Sequence, residues 1–514
     1  MRRSLGRAAT ALGALVMLAV PLHAQGYHVR LDTRFQSVAF RGFTLANVFA
    51  ADVDTAADGS LTANGFAVRC PPRGTSCSYF RPGEVLRGSP LVSTVDAAFW
   101  SLGVPGLTFR GKARVGFDLS DDRIIGGDTL NVWPGADPEV QLIEGYAEYA
   151  NRYLTVQAGR THVVSRLGFT GFDGGKVDIR SFGGRLRLSA FGGWGLYRGG
   201  VLPITSPAVS PLGEFRPTDR QIVAGGSVGW RMPGFEGRVL YQREVDPRGD
   251  LETVLYSERG AADFTLRPMR GVTLIGGAYY DFGVGELGTA DAAISYAELQ
   301  GRWQASAGWR RYRPFFELWT IWNVFSPISY NAGFASAMVT PIRGLQLWTR
   351  GEVIAYEDTA ADTNLVVVED DGWRWSWGGT LTRLPGWTLS GGYHVQQGVG
   401  ASSRGFNARA TFEPRRDLTV SAHGGFLDRP LEYRFADAEV WTYGLRIDFE
   451  PTSGVRLNAE AYRWDETRER DDAAQIDWDF VRVNVGLTLL FGSGADRPRL
   501  HPAILRIPER RRPR

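Results

Sequence analysis

Cations in this chain recur at every second residue, beside acids with the same spacing. Arg110, Lys112 and Arg114 alternate with Phe109, Gly111, Ala113 and Val115, while Glu144, Tyr146 and Glu148 alternate with Gly145, Ala147 and Tyr149. Arg350 and Glu352, then Arg409, Arg446, Arg456, Glu460 and Arg482, stand in later segments of the same kind, with Arg310, Arg374, Asp448, Asn458, Asn484, His394 and His423 on matching parity. A two-residue period sends successive side chains to opposite faces of a strand, so these charges share one face and their apolar neighbours take the other. Cations facing carboxylates across water create a transverse field that sorts solutes by charge and dipole. The same pairs could instead cross-link the wall of a blocked interior, and the alternation alone is compatible with both.

Other chemistry is sparse. Cys70 and Cys77 are the only cysteines, and in an oxidising compartment two so close together read as a disulfide; with no histidine beside them, a metal site is poorly supported. His28, His162, His394, His423 and His501 stand in no motif with Ser or Asp. His162, just after Arg160, is the one candidate base for a barrel hydrolase. Phosphate loops, nucleotide fingerprints and metal-ligand clusters are not found. The expectation is therefore a protein without enzymatic activity, cofactor or metal.

These side chains need strands to hold them. Alternation runs through 107–118, 373–382 and 478–491, each with one apolar or aromatic face and one face of charge, hydroxyl or glycine. Pro/Gly turns such as Met232-Pro233-Gly234 and Pro341-Ile342-Arg343-Gly344 separate strands on one side, and polar connections of 41–91, 120–138, 163–172, 198–219, 358–370 and 466–477 separate them on the other. The tally is about 22 strands (range 18–24), from 27–40 to 478–491. Even strands are followed by tight turns and odd strands by loops. That parity predicts an all-β fold, a transmembrane antiparallel up-and-down β-barrel with both termini periplasmic, closed because lipid tolerates no unpaired sheet edge. A soluble double sandwich would not place Trp303, Trp309, Trp373, Trp375, Trp377, Trp387 and Trp441 all on the oily face.

The 514 residues include 58 basic and 55 acidic side chains, a near-balance that argues against a nucleic-acid partner. A mean hydropathy of -0.18 excludes a polytopic helical membrane protein. The one long apolar run, behind Arg2, Arg3 and Arg7, reads as a signal peptide over 1–24, cleaved before Gln25. The barrel is expected over 25–491, with 48 basic against 53 acidic residues. A basic tail over 492–514 would hang in the periplasm. Within the barrel, 41–91 is expected to be a long first extracellular loop, stapled by the disulfide and folded inward as a constriction. The apolar segment 315–325 would pack into the barrel mouth, and the lipid-facing band should carry almost no charge.

Leu154-Thr155-Val156-Gln157-Ala158-Gly159-Arg160, then Ser165-Arg166-Leu167-Gly168-Phe169 and Phe172-Asp173-Gly174-Gly175-Lys176-Val177, resemble the alginate-export and related porin-like families, in which a strand ends in Gly-Arg and the next opens with Phe-Asp-Gly. The resemblance covers about 25 residues. It implies a porin-like channel for small polar or anionic solutes, carbohydrates among them, with inward arginines setting selectivity. The last strand, ending on Phe491, resembles the assembly signal of outer-membrane barrels, which implies outer-membrane lipid and the barrel-assembly machinery as partners. TonB-dependent receptors also reach 22 strands, but they carry a large plug domain ahead of the barrel, whereas this chain enters a strand-like segment soon after the expected cut. The alternatives to a channel are a plugged barrel serving as a surface scaffold or adhesion protein, and a barrel hydrolase.

Overall fold

A computed structural model describes residues 24–55, 61–63, 66–71, 74–119, 139–196, 221–246, 254–313, 329–357, 371–398, 402–429, 438–468 and 478–493. The signal segment through residue 23, the segment 315–325 and the tail beyond residue 493 lie outside them. The chain opens with β1 (Ala24–Phe49), followed by the short strands β2 (Asp54–Thr55), β3 (Leu61–Ala63) and β4 (Phe66–Ala67), which form a small sheet of their own, and then β5 (Ser76–Gly88). The wall continues through β6 (Pro90–Leu102), β7 (Leu107–Asp118), β8 (Glu139–Ala150), β9 (Leu154–Ser165), β10 (Gly168–Ser181), β11 (Leu186–Gly195), β12 (Ile222–Met232) and β13 (Phe235–Asp246). Next come β14 (Val254–Met269), β15 (Val272–Asp281), β16 (Glu286–Ala297), β17 (Trp303–Tyr312), β18 (Tyr330–Ile342), β19 (Leu345–Tyr356) and β20 (Asp371–Leu381). The last are β21 (Trp387–Gln397), β22 (Ser403–Arg415), β23 (Leu418–Arg429), β24 (Ala438–Thr452), β25 (Val455–Arg468) and β26 (Trp478–Ser493).

Neighbouring strands pair antiparallel throughout, and β1 closes the ring by pairing with β26 from Tyr27↔Ser493 to Ser37↔Val483 and with β6 from Ala24↔Leu102 to Phe35↔Leu91. Counting β1 and β6 to β26, the barrel has 22 strands. Tight turns such as Pro233-Gly234 follow the even strands; proline fixes the first corner and Gly234, at φ 79, takes the left-handed second corner that a branched residue would resist. Both ends of the described barrel, Ala24 and Ser493, lie at this short-turn end, beside the turn that follows Leu102.

One face of the wall carries the rings expected there: Trp303, Trp309, Trp373, Trp375, Trp377, Trp387 and Trp441 are all exposed. Neighbouring strands align them into a row, Trp377↔Tyr393↔Phe406↔Phe426↔Trp441, in which Trp377 and Tyr393 lie 4.7 Å apart, as do Phe426 and Trp441. So much exposed aromatic surface is stable only against lipid. The same face is less free of charge than its sequence suggests. Arg404–Asp428 (2.7 Å), Arg311–Glu357 (2.9 Å) and Arg463 with Asp465 (2.7 Å) and Asp479 (3.6 Å) form a paired rim near the long-connection end.

The first connection departs from expectation. Rather than an irregular infolded loop, 38–49 of β1 pairs with β5 in the register already set by β1 and β6, interrupted by a single bulge between Arg41 and Phe43. The result is one continuous two-stranded ladder from Ala24↔Leu102 to Phe49↔Ser76, which extends past the last β1–β26 pair.

Candidate functional site

Strands about 4.8 Å apart and tilted by about 40° make a ring of 22 roughly 40 Å across, too wide for wall side chains to meet. Whatever narrows the interior must therefore be backbone. The ladders locate it. Pairing of β8 with β9 stops at Gly145↔Arg160, and pairing of β10 with β11 stops at Phe172↔Gly195. Between these points, residues 161–171 pair as strands only within the hairpin, through a turn at Arg166 and Leu167. The departure point is Gly159, at φ 127, where an added Cβ would fall 2.3 Å from the Gly145 carbonyl oxygen. A fork at the base holds the two strands together: Arg160 donates to Asp173 at 2.7 and 2.9 Å and to the Leu142 carbonyl at 2.8 Å.

The tip of this hairpin reaches strands far around the ring. Arg166 donates to Asp263 on β14 and Asp291 on β16, and Arg259 of β14 donates to the Leu167 carbonyl at 3.0 Å. Gln242 of β13 donates to the Thr170 hydroxyl at 2.9 Å. Leu167, 4% exposed, packs with Leu240, Ala261 and Tyr279. Strand β16 is the sixth after β10, so these contacts can be made only across the interior; they identify the face bearing Gln242, Asp263 and Asp291 as the inner one. The Arg166 guanidinium lies over Gly277, where a Cβ would meet Nη2 at 2.5 Å. On its other side the hairpin leans on β8: His162, stacked on Phe169 at 5.0 Å, meets Glu144 at 3.3 Å.

The element whose contacts cross the interior is thus the 160–172 hairpin, which the sequence had presented as a loop over 163–172. The Gly-Arg and Phe-Asp-Gly motifs mark its two hinges. Alternation could not reveal it, because Thr161 and Val163 against His162 and Val164 would read the same in a wall strand.

The remaining charges selected by alternation form separate clusters along the wall. Arg110 lies 3.2 Å from Asp96 and 3.6 Å from Glu144, itself 8% exposed. Lys112 is in register with Asp96 and Glu144, Arg114 with Thr94 and Gln141, and Glu148 accepts from Gln157 at 2.6 Å. On β17 to β20, the almost fully buried Glu352 accepts from Arg310 and stands 4.0 Å from Arg374, while Arg350 covers the Phe334 ring at 5.0 Å. On β24 to β26, Arg446 and Arg456 converge on Asp448 at 2.7 and 2.9 Å. Glu460 stands 3.9 Å from His423, and Arg482 donates to Tyr462 and Gln36 at 3.0 and 3.1 Å. Arg409, in register with Ser390 and His423, has no ion-pair partner among the described residues. Phe491 is exposed on β26 opposite Val29. Cys70 and Cys77 are joined in a disulfide, with Cys77 fully buried at the end of the long first hairpin. Among the described residues, no group of three or more His, Cys, Asp and Glu could hold a metal ion.

No protein-family model and no curated protein matches the sequence. Solved structures do match. A mutant of the ferric enterobactin receptor PfeA from Pseudomonas aeruginosa, in complex with enterobactin, is 12% identical with a TM-score of 0.53, over 90% of this chain and 81% of the receptor. OccAB3 of Acinetobacter baumannii is 10% identical (TM-score 0.39), and the outer membrane protein OpdK of Pseudomonas aeruginosa is 9% identical (TM-score 0.40); each match covers 91% of this chain and 99% of the other. At these identities the likeness is one of fold. A closed barrel of this fold with a ring-covered outer face is an outer-membrane barrel.

Proposed function

We propose that the barrel is a passive channel for small polar or anionic solutes, with its short turns and both chain ends in the periplasm and with the 160–172 hairpin as its constriction. The observation that carries this reading is the hairpin itself: a 22-strand ring leaves a wide interior, and one inward hairpin latched by Arg166 narrows it without requiring a separate plug. Solutes passing beside the hairpin meet paired charges. Arg110 and Lys112 face Asp96 and Glu144, Arg114 stands in register with Thr94 and Gln141, and Arg409 supplies a cation without a paired acid among the described residues. Such a lining sorts solutes by charge and dipole rather than by shape. Assembly would begin from the last strand, with Phe491 read by the barrel-assembly machinery.

Reconstitution tests the proposal. In planar bilayers under a salt gradient, the protein is expected to conduct, and Arg110→Glu combined with Arg114→Glu is expected to move the reversal potential toward cation preference. No conductance from folded protein would instead favour a closed surface scaffold, and an unchanged reversal potential would remove the Arg110 cluster from the pathway.

A further inference from the structure

The hairpin does more than narrow the interior: by spanning from β10 to β14 and β16 it roofs the arc of wall between them. Under that roof lies a cavity of about 970 Å³. Its lining carries Arg166 from the hairpin, Arg180 from β10, Arg185 from the following turn, Arg187 from β11, Arg231 from β12 and Arg238 from β13. Only Glu236 and Asp263 oppose them in the lining, an excess of four positive charges.

Partners outside the lining reduce the excess without cancelling it: with Asp291 on Arg166, Asp178 on Arg187 and Lys176 beside Asp178, seven cations meet four carboxylates. Arg231 is held by Glu236 at 2.6 Å, and Arg238 by Asp263 at 3.1 Å, the carboxylate Arg166 also uses. Arg187 reaches Asp178 at 3.2 Å, but Asp178 is shared with Lys176 at 3.5 Å. Arg180 donates to the Thr155 hydroxyl at 2.7 Å and the Asn151 carbonyl at 3.3 Å, and neither it nor Arg185 has a carboxylate partner among the described residues. Guanidinium groups gathered in one concavity repel one another, and their planar forks match the paired oxygens of carboxylate and phosphate.

We infer that this side compartment is a binding site for a small multivalent oxyanion, a polycarboxylate or a phosphorylated compound, reached from the short-turn end. Arg180 and Arg185 are its ligands without a carboxylate partner among the described residues, and Arg187, Arg231 and Arg238 complete the cage. The site lies beside the main passage, so binding does not depend on the barrel being a channel.

The full-length barrel, purified in detergent at fixed ionic strength, is dialysed to equilibrium against labelled pyrophosphate and, separately, labelled citrate. Saturable binding of at least one is expected. Arg180→Gln with Arg185→Gln should weaken it by about tenfold per arginine, roughly a hundredfold together, whereas Arg110→Gln with Arg114→Gln should leave it unchanged. Pyrophosphate binding alone assigns the phosphate class, citrate alone the polycarboxylate class, and both the shared oxyanion chemistry. If the double variant does not fold, Arg185→Gln alone, on a turn, is expected to give the single tenfold loss. Saturable binding of neither anion, or equal weakening by the Arg110 and Arg114 pair, would overturn the inference. A barrel that binds but does not conduct would contradict the channel reading and leave this one standing.

Discussion

Two glycines fix the hairpin by opposite means. Gly159 gives the left-handed turn that lets β9 leave β8, and Gly277 leaves the space in which the Arg166 guanidinium reaches Asp263 and Asp291. A side chain at Gly277 would also fall 2.5 Å from the Ala262 carbonyl oxygen and strain the wall itself, so the latch is tested by Arg166→Ala, which should release the tip while the wall survives. A nitroxide attached at Ser165→Cys is expected to change from an immobilised to a mobile spectrum in that variant, and an unchanged spectrum would show that the latch does not hold the tip. Glu352 presents the contrasting case, an almost fully buried acid serving Arg310 and Arg374. Replacing it with Gln leaves two cations without their counter-charge and is expected to lower stability by about 1–3 kcal/mol. Glu148→Gln removes a carboxylate that accepts from the neutral Gln157 amide, and should cost much less. Urea midpoints of the two variants in the same detergent compare them, and equal shifts would contradict the assignment.

At the scale of elements, what could be read in the sequence was the face of each strand, and what could not was its partner. The period over 107–118 coincides with β7, and 478–491 falls within β26, because alternation is imposed by the wall itself. The segments 41–91 and 163–172, read as connections, instead contain strands that pair outside the wall, 76–88 with 38–49 and the two arms of 161–171 with each other. Burial and pairing are nonlocal, so the hairpin that leaves the wall carried no periodic signal of its own; its hinge motifs did, through their resemblance to porin-like families. The charges chosen by parity were likewise well placed on strands yet fell into separate clusters, since parity fixes a face but not a height or a neighbour. The long first hairpin supplies a further test. Its disulfide ties Cys70, in the connection between Phe49 and Ser76, to Cys77 at the start of β5, outside the ladder that closes the barrel. Cys70→Ser with Cys77→Ser is expected to speed proteolysis between residues 49 and 76 while moving the urea midpoint of the barrel by less than about 0.5 kcal/mol equivalent. A large loss of barrel stability would mean that this hairpin buttresses the wall.

For the whole molecule, closure and width set the terms. A ring of 22 strands satisfies every wall strand with two neighbours and leaves no edge in lipid, and its rings and paired rim charges divide the outer surface between hydrocarbon and the polar boundary. The same width makes an inner element necessary if passage is to be selective. In the proposed channel the 160–172 hairpin, latched by Arg166, fills that role, and the basic cavity lies beside its tip. The most direct measurement is single-channel conductance after replacing residues 161–171 with a short Gly-Ser connection between Arg160 and Phe172. Removing a constriction from a barrel of this width should raise unitary conductance severalfold and weaken charge selectivity. A folded excision variant with the conductance and selectivity of the intact protein would contradict the account, because the hairpin would then not lie in the conducting path.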